Sequence, residues 1–222
     1  MSAKTIVITG ANRGIGLAIA RVYQGRGDRV TALCRRASDD LRDCGADIVE
    51  DVDVTSSQAL QRAATVVENV DVLIANAGVL SNESFTSVAD ARHRIERQFT
   101  VNALGPLLTA HAFAHKLASG AKVALITSRM GSIADNSSGG SYGYRMSKAA
   151  LNAAGRSLAI DLAPRGIAVG LLHPGYVRTD MTGGRGNVEA SEAALMLVAR
   201  IDELDAVSSG SFRHANGEEL PW

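Results

Sequence analysis

Short apolar runs recur along the 222-residue chain, and polar residues or glycines separate them. Each run is bounded by Gly, Asp, Asn or Ser, and several runs are rich in Val and Ile. Short runs with this enrichment in β-branched residues are typical of buried strands. We therefore predict strands over residues 5–9, 29–34, 47–52, 71–75, 122–127 and 167–172.

Helix-length segments lie between these runs, at residues 14–24, 56–68, 92–117 and 142–162. In the last segment, the apolar residues fall mostly on one helical face. Strands that are buried on both faces and alternate with helices predict a parallel sheet with right-handed crossovers. The chain is therefore predicted to be α/β, a single doubly wound domain over residues 1–222 with helices flanking a parallel sheet. The pattern alone favours a Rossmann fold and a flavodoxin-like fold equally.

Composition and charge narrow the class of protein. Hydrophobic residues make up 46% of the chain, and 23 basic residues balance 23 acidic ones. This balance gives no electrostatic reason to expect nucleic acid or an anionic membrane as a partner. No run reaches transmembrane length, no secretory signal is recognisable, and Cys34 and Cys44 have no zinc-type spacing, so we expect a cytoplasmic protein with reduced thiols. His111 and His115 lack a recognisable third ligand, so we predict no metal site.

A glycine-rich segment directly follows the first predicted strand and opens the first predicted helix. Gly10 would permit a tight turn, Gly14 a close approach of the backbone to a pyrophosphate, and Gly16 close packing of the helix on the strand. The free N–H groups and the dipole at a helix N-terminus favour such an anion. We therefore predict that a dinucleotide cofactor contacts Gly10, Asn12, Arg13, Gly14, Ile15 and Gly16.

The spacing Thr-Gly-x-x-x-Gly-x-Gly resembles that of the short-chain dehydrogenase/reductase family, whose members have a Rossmann fold. Matching segments follow later predicted strands in the same order as in that family. The resemblance implies cofactor contacts from these segments: Asp53-Val54 at the adenine, Asn76-Ala77-Gly78 at a ribose, Pro174-Gly175 beneath the nicotinamide, and Val177 and Thr179 at the carboxamide or pyrophosphate.

The residues after the second predicted strand bear on the choice between NADP and NAD. NAD enzymes usually carry an acidic residue there, which binds the ribose hydroxyls. This chain has Arg35 and Arg36 at that place and no carboxylate. Because guanidinium groups suit a 2′-phosphate, and because Arg13 in the glycine loop could reach the same group, we predict NADP in preference to NAD.

Tyr144 and Lys148 form a Tyr-x-x-x-Lys pair near the start of a predicted helix, so both side chains lie on one face. A free tyrosine, with a pKa near ~10, is a poor base at neutral pH. The Lys148 ammonium and an oxidised nicotinamide would favour the phenolate, so we expect a lowered pKa for Tyr144. In reduction, Tyr144 would donate a proton to the carbonyl oxygen. The resemblance implies that Lys148 also binds the nicotinamide ribose.

Ser128 and Asn102 complete the candidate catalytic set. Ser128 ends the predicted strand 122–127, where its hydroxyl could bond the substrate oxygen, although a serine there could also cap a turn. The resemblance implies that Asn102 anchors a water in a proton relay to Lys148. A buried structural hydrogen bond would explain an asparagine inside a helix nearly as well.

The predicted function is NADP-dependent interconversion of a carbonyl and an alcohol on a small molecule. The short segment 181–186 suggests a small lid and an open pocket, and a Gly- and Ser-rich loop spans 133–141. These features resemble the carbonyl-reductase branch that includes C-factor and sniffer proteins. A cofactor-binding regulatory or signalling protein is one alternative. An enoyl reductase using Tyr142 is another, and a homodimer or homotetramer is left open.

Overall fold

The computed structural model describes residues 3–222, and its centre is a seven-stranded sheet in which every strand pair is parallel. In chain order the strands are β1 (Thr5–Thr9), β2 (Arg29–Leu33), β3 (Asp47–Val49), β4 (Val70–Ala75), β5 (Leu117–Ile126), β6 (Ala168–His173) and β7 (Phe212–His214). Their order across the sheet is β3-β2-β1-β4-β5-β6-β7. This is the Rossmann order, so the structure excludes the flavodoxin-like alternative.

Helices cover both faces of the sheet, as the predicted fold class requires. They are α1 (Gly14–Gly25), α2 (Asp39–Arg42), α3 (Ser57–Thr65), α4 (Arg92–Phe99), α5 (Gly105–Phe113), α6 (Tyr142–Leu162) and α7 (Ala190–Glu203). Strand β1 shows why the apolar runs have no polar face. Ile6 and Ile8 pack against α1 and α7, whereas Val7 packs into the core on the side of α3, α5 and α6.

The predicted helix 92–117 is wrong as a single element. Helix α4 ends at Phe99, a π-helical turn spans Thr100–Leu104, and α5 ends at Phe113. Pro106 explains the break, because it has no N–H to bond the carbonyl of Asn102 four residues earlier. Strand β5 then begins at Leu117, earlier than predicted.

The other main differences from the predicted elements are three elements that were not predicted and one strand that is shorter than predicted. Helices α2 and α7 and strand β7 were not predicted, and β3 ends at Val49 instead of residue 52. Helix α6 spans the predicted residues 142–162. Among residues 3–222, no helix combines the length and the apolar character needed to cross a membrane.

Candidate active site

The sheet order reverses between β1 and β4, and the loops after these two strands are fastened to each other. The Asn76 Nδ2 atom donates to the carbonyl oxygens of Thr9 and Gly10, at 3.1 Å each. The Thr9 hydroxyl in turn accepts from the backbone N–H groups of Asn76 and Ala77. The crevice at this reversal is where open α/β sheets bind their ligands.

Glycines are needed where the loop after β1 meets its neighbours. Gly10 has a φ of 66°, and a Cβ there would lie 2.9 Å from the Ala77 Cα. A Cβ at position 16 would lie 2.4 Å from the Gly10 carbonyl oxygen and 2.5 Å from the Asn76 Nδ2. Gly14 has a φ of 55°, and a Cβ there would meet Thr179 at 3.4 Å. The predicted loop residues therefore come together with Asn76, Ala77 and the loop after β6.

Arg13 and Arg35, which are predicted to bind a 2′-phosphate, lie at the same end of the sheet. Only Arg13 is paired with an acidic residue among residues 3–222. The Nη1 atom of Arg13 is 2.9 Å from the Asp180 carboxylate, and both side chains are mostly exposed. Arg35 follows β2 and is exposed, and within residues 3–222 its side chain makes no ion pair or hydrogen bond. The Arg13 guanidinium is therefore paired with Asp180, and the Arg35 guanidinium is available to bind a ligand.

Asp53 and Val54 follow β3, close to these arginines. Asp53 accepts hydrogen bonds from the backbone N–H and the hydroxyl of Thr55, at 2.9 and 2.8 Å. The Thr55 N–H is the main reason why the pKa of Asp53 lies below its usual value, and Arg35 adds to the effect. The Val54 side chain is buried beneath Gly105.

Two residues near the end of β2 were missed in the sequence. The Ser38 hydroxyl donates to the Asn12 carbonyl at 2.6 Å and thereby holds the glycine loop. Glu50 brings a carboxylate to this end of the sheet from β3. Its oxygen accepts from the Ala37 N–H, and Arg42 lies beside it. Neither residue has a local sequence signal, because the contacts join separate βα units.

Tyr144 and Lys148 lie in the first turns of α6, and both are buried. The Lys148 Nζ donates to the Ile126 carbonyl at the end of β5, at 2.8 Å, and lies 5.8 Å from the centre of the Tyr144 ring. Burial lowers the pKa of Lys148 to about 8. The pair therefore stands at the carboxyl end of β5, next to the predicted position of Ser128.

The predicted lowering of the Tyr144 pKa is not found in the protein itself. Burial raises the pKa of Tyr144, and a hydrogen bond with Ser128 opposes that rise. Loss of solvation is the larger of these two effects, and the Lys148 ammonium is directed at the Ile126 carbonyl. A protonated phenol suits a proton donor.

Ser128 caps a turn, which is one of the two roles that its sequence position allowed. Its Oγ accepts from the Met130 N–H at 3.1 Å and so caps the short turn that follows β5. As the donor of a hydroxyl hydrogen, the same group also lies in hydrogen-bond reach of Tyr144. The side chain is only 7% exposed and is fixed in place by the turn.

Asn102 lies in the π-helical turn and is fully buried. Its Nδ2 donates to the Val79 carbonyl at 2.8 Å and to the Ser147 hydroxyl at 3.0 Å, and its Oδ1 accepts from the Val79 N–H at 2.8 Å. Ser147 in turn donates to the Tyr144 carbonyl. The Asn102 side chain therefore has the structural role that the sequence left open, linking the loop after β4 to α6.

Residues 175–186, which follow β6, form a short lid over the crevice. Gly175 has a φ of 94°, and Val177 is buried and pairs with Val188. The Thr182 hydroxyl donates to the Val177 carbonyl and accepts from the Thr179 N–H, so the lid is held by its own bonds. Pro174 precedes this lid at the end of β6, as the sequence predicts.

Tyr142, the residue of the enoyl-reductase alternative, and Tyr176 lie outside the Tyr144–Lys148 pair. The ring of Tyr142 contacts the largely exposed Phe85, with 6.4 Å between the ring centres. Tyr176 is 48% exposed and follows Gly175 in the lid. Among the described residues, no group of three or more His, Cys, Asp or Glu side chains is placed to hold a metal ion.

Two relatives are similar to this chain in sequence. The 1-hydroxy-2-glutathionyl-2-methyl-3-butene dehydrogenase of Rhodococcus sp. is 38% identical over 98% of this chain and 99% of its own length. The C-signal protein of Myxococcus xanthus is 47% identical over 69% of this chain and 93% of its own length.

Solved structures agree with the sequence relatives. The NADPH-bound carbonyl reductase from chicken fatty liver has a TM-score of 0.91 and 27% identity, and both chains are covered completely. The carbonyl reductase Sniffer of D. melanogaster gives 0.92 and 28%, again over both whole chains. These similarities confirm the predicted resemblance to C-factor and sniffer proteins. Residues 4–190 match the family model described as short chain dehydrogenase. The chain therefore belongs to the short-chain dehydrogenase family, whose members are oxidoreductases of carbonyl and alcohol groups.

Proposed function

We propose that the protein reduces the carbonyl group of a small molecule with NADPH, and that Tyr144 is its acid/base. The observation that carries the proposal is the convergence of Ser128, Tyr144 and Lys148 at the carboxyl end of β5, beside the crevice between β1 and β4. The unit that performs the reaction is one domain over residues 1–222. The similarity to the chicken protein, an NADPH-bound carbonyl reductase, supports the choice of substrate class and cofactor.

The residues of this chain have distinct parts in the reaction. When bound, NADPH supplies the hydride. Tyr144 donates its phenolic proton to the substrate oxygen, and Ser128 donates a hydrogen bond that orients and polarises the same oxygen. Lys148 holds the nicotinamide ribose and places a positive charge near the phenol. The Asn102 side chain fixes α6 through its bond to Ser147.

Cofactor selectivity rests on charge at the end of β2. Arg35 is the available guanidinium there, and Arg13 in the glycine loop is the second. A 2′-phosphate is charged and offers several acceptor oxygens, so it can form an ion pair and bidentate hydrogen bonds with these guanidinium groups, whereas a neutral ribose hydroxyl offers one weaker acceptor. The glycine loop Gly10–Gly16, Asp53-Val54, Asn76-Ala77-Gly78 and the lid residues Gly175, Val177 and Thr179 line the rest of the proposed cofactor site.

The substrate side of the crevice is open. Met181 of the lid approaches the loop after β4, since its Cε would lie 3.9 Å from a Cβ at Gly78, and Met181 and Tyr176 are both nearly half exposed. Few side chains therefore surround the substrate, which favours broad selectivity for carbonyl compounds.

Self-association is proposed from the outer side of α4 to α6. Phe99, Leu104 and Met146 are exposed by 42%, 42% and 48% there. Exposed apolar patches mark protein–protein contact sites, and a contact between two copies of the chain would bury these side chains. Analytical ultracentrifugation would give a dimer or tetramer, and a monomer at high concentration would contradict this part of the proposal.

The test is turnover by purified protein. NADPH oxidation is followed with a panel of aldehydes and ketones, NADH is compared with NADPH, and Tyr144→Phe is the key variant. We expect turnover with NADPH, retention of cofactor binding by the variant and loss of its turnover. Full turnover by Tyr144→Phe would refute the proposed role of Tyr144. Reduction of a C=C bond with an untouched carbonyl would instead favour an enoyl reductase.

A second candidate is a cofactor-binding signalling protein, favoured by the 47% identity to the C-signal protein. The buried Ser128, Tyr144 and Lys148 argue against it, because binding alone does not require this trio. NADPH binding without turnover of any carbonyl would support the signalling candidate.

A further inference from the structure

A buried polar network connects the segment after β4 to the start of α6. In the extended segment 79–83, every second residue is held by a side chain of the helix opposite. Asn102 bonds both backbone groups of Val79, and the Gln98 Oε1 accepts from the Ser81 N–H at 2.8 Å. Gln98 and Asn102 are four residues apart and so lie on the same side of the helix. The third member of the row is Glu83.

Glu83 caps α6 from a distance of 60 residues along the chain. Its Oε2 accepts from the Gly143 N–H at 3.1 Å, and its Oε1 accepts from the Gln98 Nε2 at 2.7 Å. Both oxygens accept, which is the pattern of an ionised carboxylate. Glu83 is 3% exposed and Gln98 is fully buried. The bonds therefore lie out of water, where an unpartnered donor or acceptor is costly.

Ser141, at the usual N-cap position of α6, does not cap the helix with its side chain. Ser141 precedes α6 with a φ of 48°, and its side chain makes no bond to the helix N-terminus. Its hydroxyl donates instead to the Asn82 Oδ1 at 3.0 Å, and its N–H donates to the Glu83 carbonyl. Negative charge at a helix N-terminus is stabilising. Glu83 therefore supplies both the missing hydrogen-bond acceptor and the charge.

The start of α6 is also seated tightly on α4. A Cβ at position 143 would lie 2.5 Å from the Gln98 Nε2 and 3.0 Å from the Ile95 Cα. Gly143 is thus the residue that lets the two helices approach while Glu83 bonds its N–H. Tyr144 is the next residue in the chain, and its own carbonyl is held by Ser147 from the far side.

We propose that Glu83, together with Gln98, is a positioning residue for Tyr144. The inference rests on the proposed function, in which the Tyr144 phenol must reach the substrate oxygen beside Ser128. Glu83 touches neither substrate nor cofactor. It acts on the backbone one residue before Tyr144 and fixes where α6 begins. A displacement of about 1 Å at a reacting group can cost roughly a hundredfold in rate.

The test begins with Glu83→Gln, which keeps the size of the side chain. Glutamine offers one acceptor oxygen, but two donors, the Gly143 N–H and the Gln98 Nε2, point at it. We expect kcat for carbonyl reduction to fall by about tenfold to a hundredfold, while the Kd for NADPH stays within about twofold. Glu96→Gln in α4 is the matched control, because Glu96 is exposed and pairs only with Arg92. Its kcat should equal that of the wild type.

The double variant Glu83→Gln/Gln98→Glu separates positioning from loss of folding. In this exchange, Gln at 83 accepts from the Gly143 N–H and donates to Glu at 98, which still accepts from the Ser81 N–H. Every bond of the row is therefore restored, with the charge moved by one side chain. We expect kcat to recover to within about threefold of the wild type. Hydrogen exchange of the peptide containing Gly143 should speed up in the single variant and slow again in the double one.

The outcomes test the positioning role of Glu83 separately from the proposed catalytic role of Tyr144. Wild-type kcat in Glu83→Gln, or a folded double variant with restored exchange protection but no recovery of kcat, would overturn the positioning role. Turnover by Tyr144→Phe would instead remove the proposed function and leave the exchange result standing as a structural finding. Loss in the single variant and recovery in the double one, with Tyr144→Phe inactive, supports the proposal.

Discussion

Gly16 and Gly25 allow a direct measurement of how tightly the glycine loop is packed. Both lie in α1 with ordinary helical backbone, and Gly→Ala favours a helix equally at each by about 0.4–1 kcal/mol. A Cβ at position 25 has nothing within 4 Å. A Cβ at position 16 would lie 2.4 Å from the Gly10 carbonyl, a contact that backbone must move to relieve. Overpacking of this kind costs about 1–3 kcal/mol.

Because the helix gain is the same at both positions, the free energy of unfolding should differ by about 1–3 kcal/mol between Gly16→Ala and Gly25→Ala. Urea titration measures that difference. In thermal unfolding, each kcal/mol corresponds to about 2–4 °C for a chain of this size. Gly25→Ala should be at least as stable as the wild type and bind NADPH normally, whereas Gly16→Ala should lose both stability and NADPH affinity. The reasoning fails if Gly16→Ala is as stable as Gly25→Ala and binds NADPH equally well.

Other predictions concern charge and protonation. Arg35→Asp should raise the Kd for NADPH by about tenfold to a hundredfold, because one charge-assisted bond is lost. The Kd for NADH should stay the same or fall. Fluorescence titration measures both values, and an equal loss of affinity for the two cofactors would contradict the phosphate contact. Because the pKa of Lys148 is about 8, kcat for reduction should fall as the pH rises through 8, and a flat profile up to pH 9.5 would show that the ammonium charge is not needed. Burial lowers the pKa of His173 to about 3, so the folded protein cannot take up a proton that the unfolded chain binds below about pH 6.5. Stability should therefore decline from pH 6.5 towards 3, by about 2 kcal/mol from this group at pH 5, and His173→Phe should flatten that decline in urea titrations; an unchanged slope would contradict it.

The fold could be predicted where the periodicity was long or the apolar run was buried on both faces. Helix α6 carries its apolar residues through about six turns, and its predicted and observed bounds agree. The pattern could not place the break at Pro106, because the apolar residues continue through the π-helical turn and into β5. Helix α7 had a usable signal, since Leu197, Val198 and Ile201 share one buried face. Strand β7 had none, because three residues carry no measurable period.

The site divides along the same line. Tyr144 and Lys148 are four residues apart, and the glycine loop is continuous, so sequence spacing alone places these groups together. Glu83 depends on Gly143, 60 residues later, and the contact arises only when β4 and β5 pair and bring α4 against α6. The rise in the pKa of Tyr144 that burial causes in the protein itself could not be predicted for the same reason. Spacing identifies the neighbouring lysine, but only the fold shows how completely the phenol is removed from water.

The lid and the glycine loop already contact each other across the crevice, and this affects how a phosphate can bind. Arg13 pairs with Asp180, and both side chains are more than half exposed. An exposed pair of this kind is worth about 0–1 kcal/mol, whereas bonds from a guanidinium to a phosphate are charge-assisted and can be bidentate. A cofactor phosphate that Arg13 binds would therefore displace Asp180 at a cost of no more than about 1 kcal/mol.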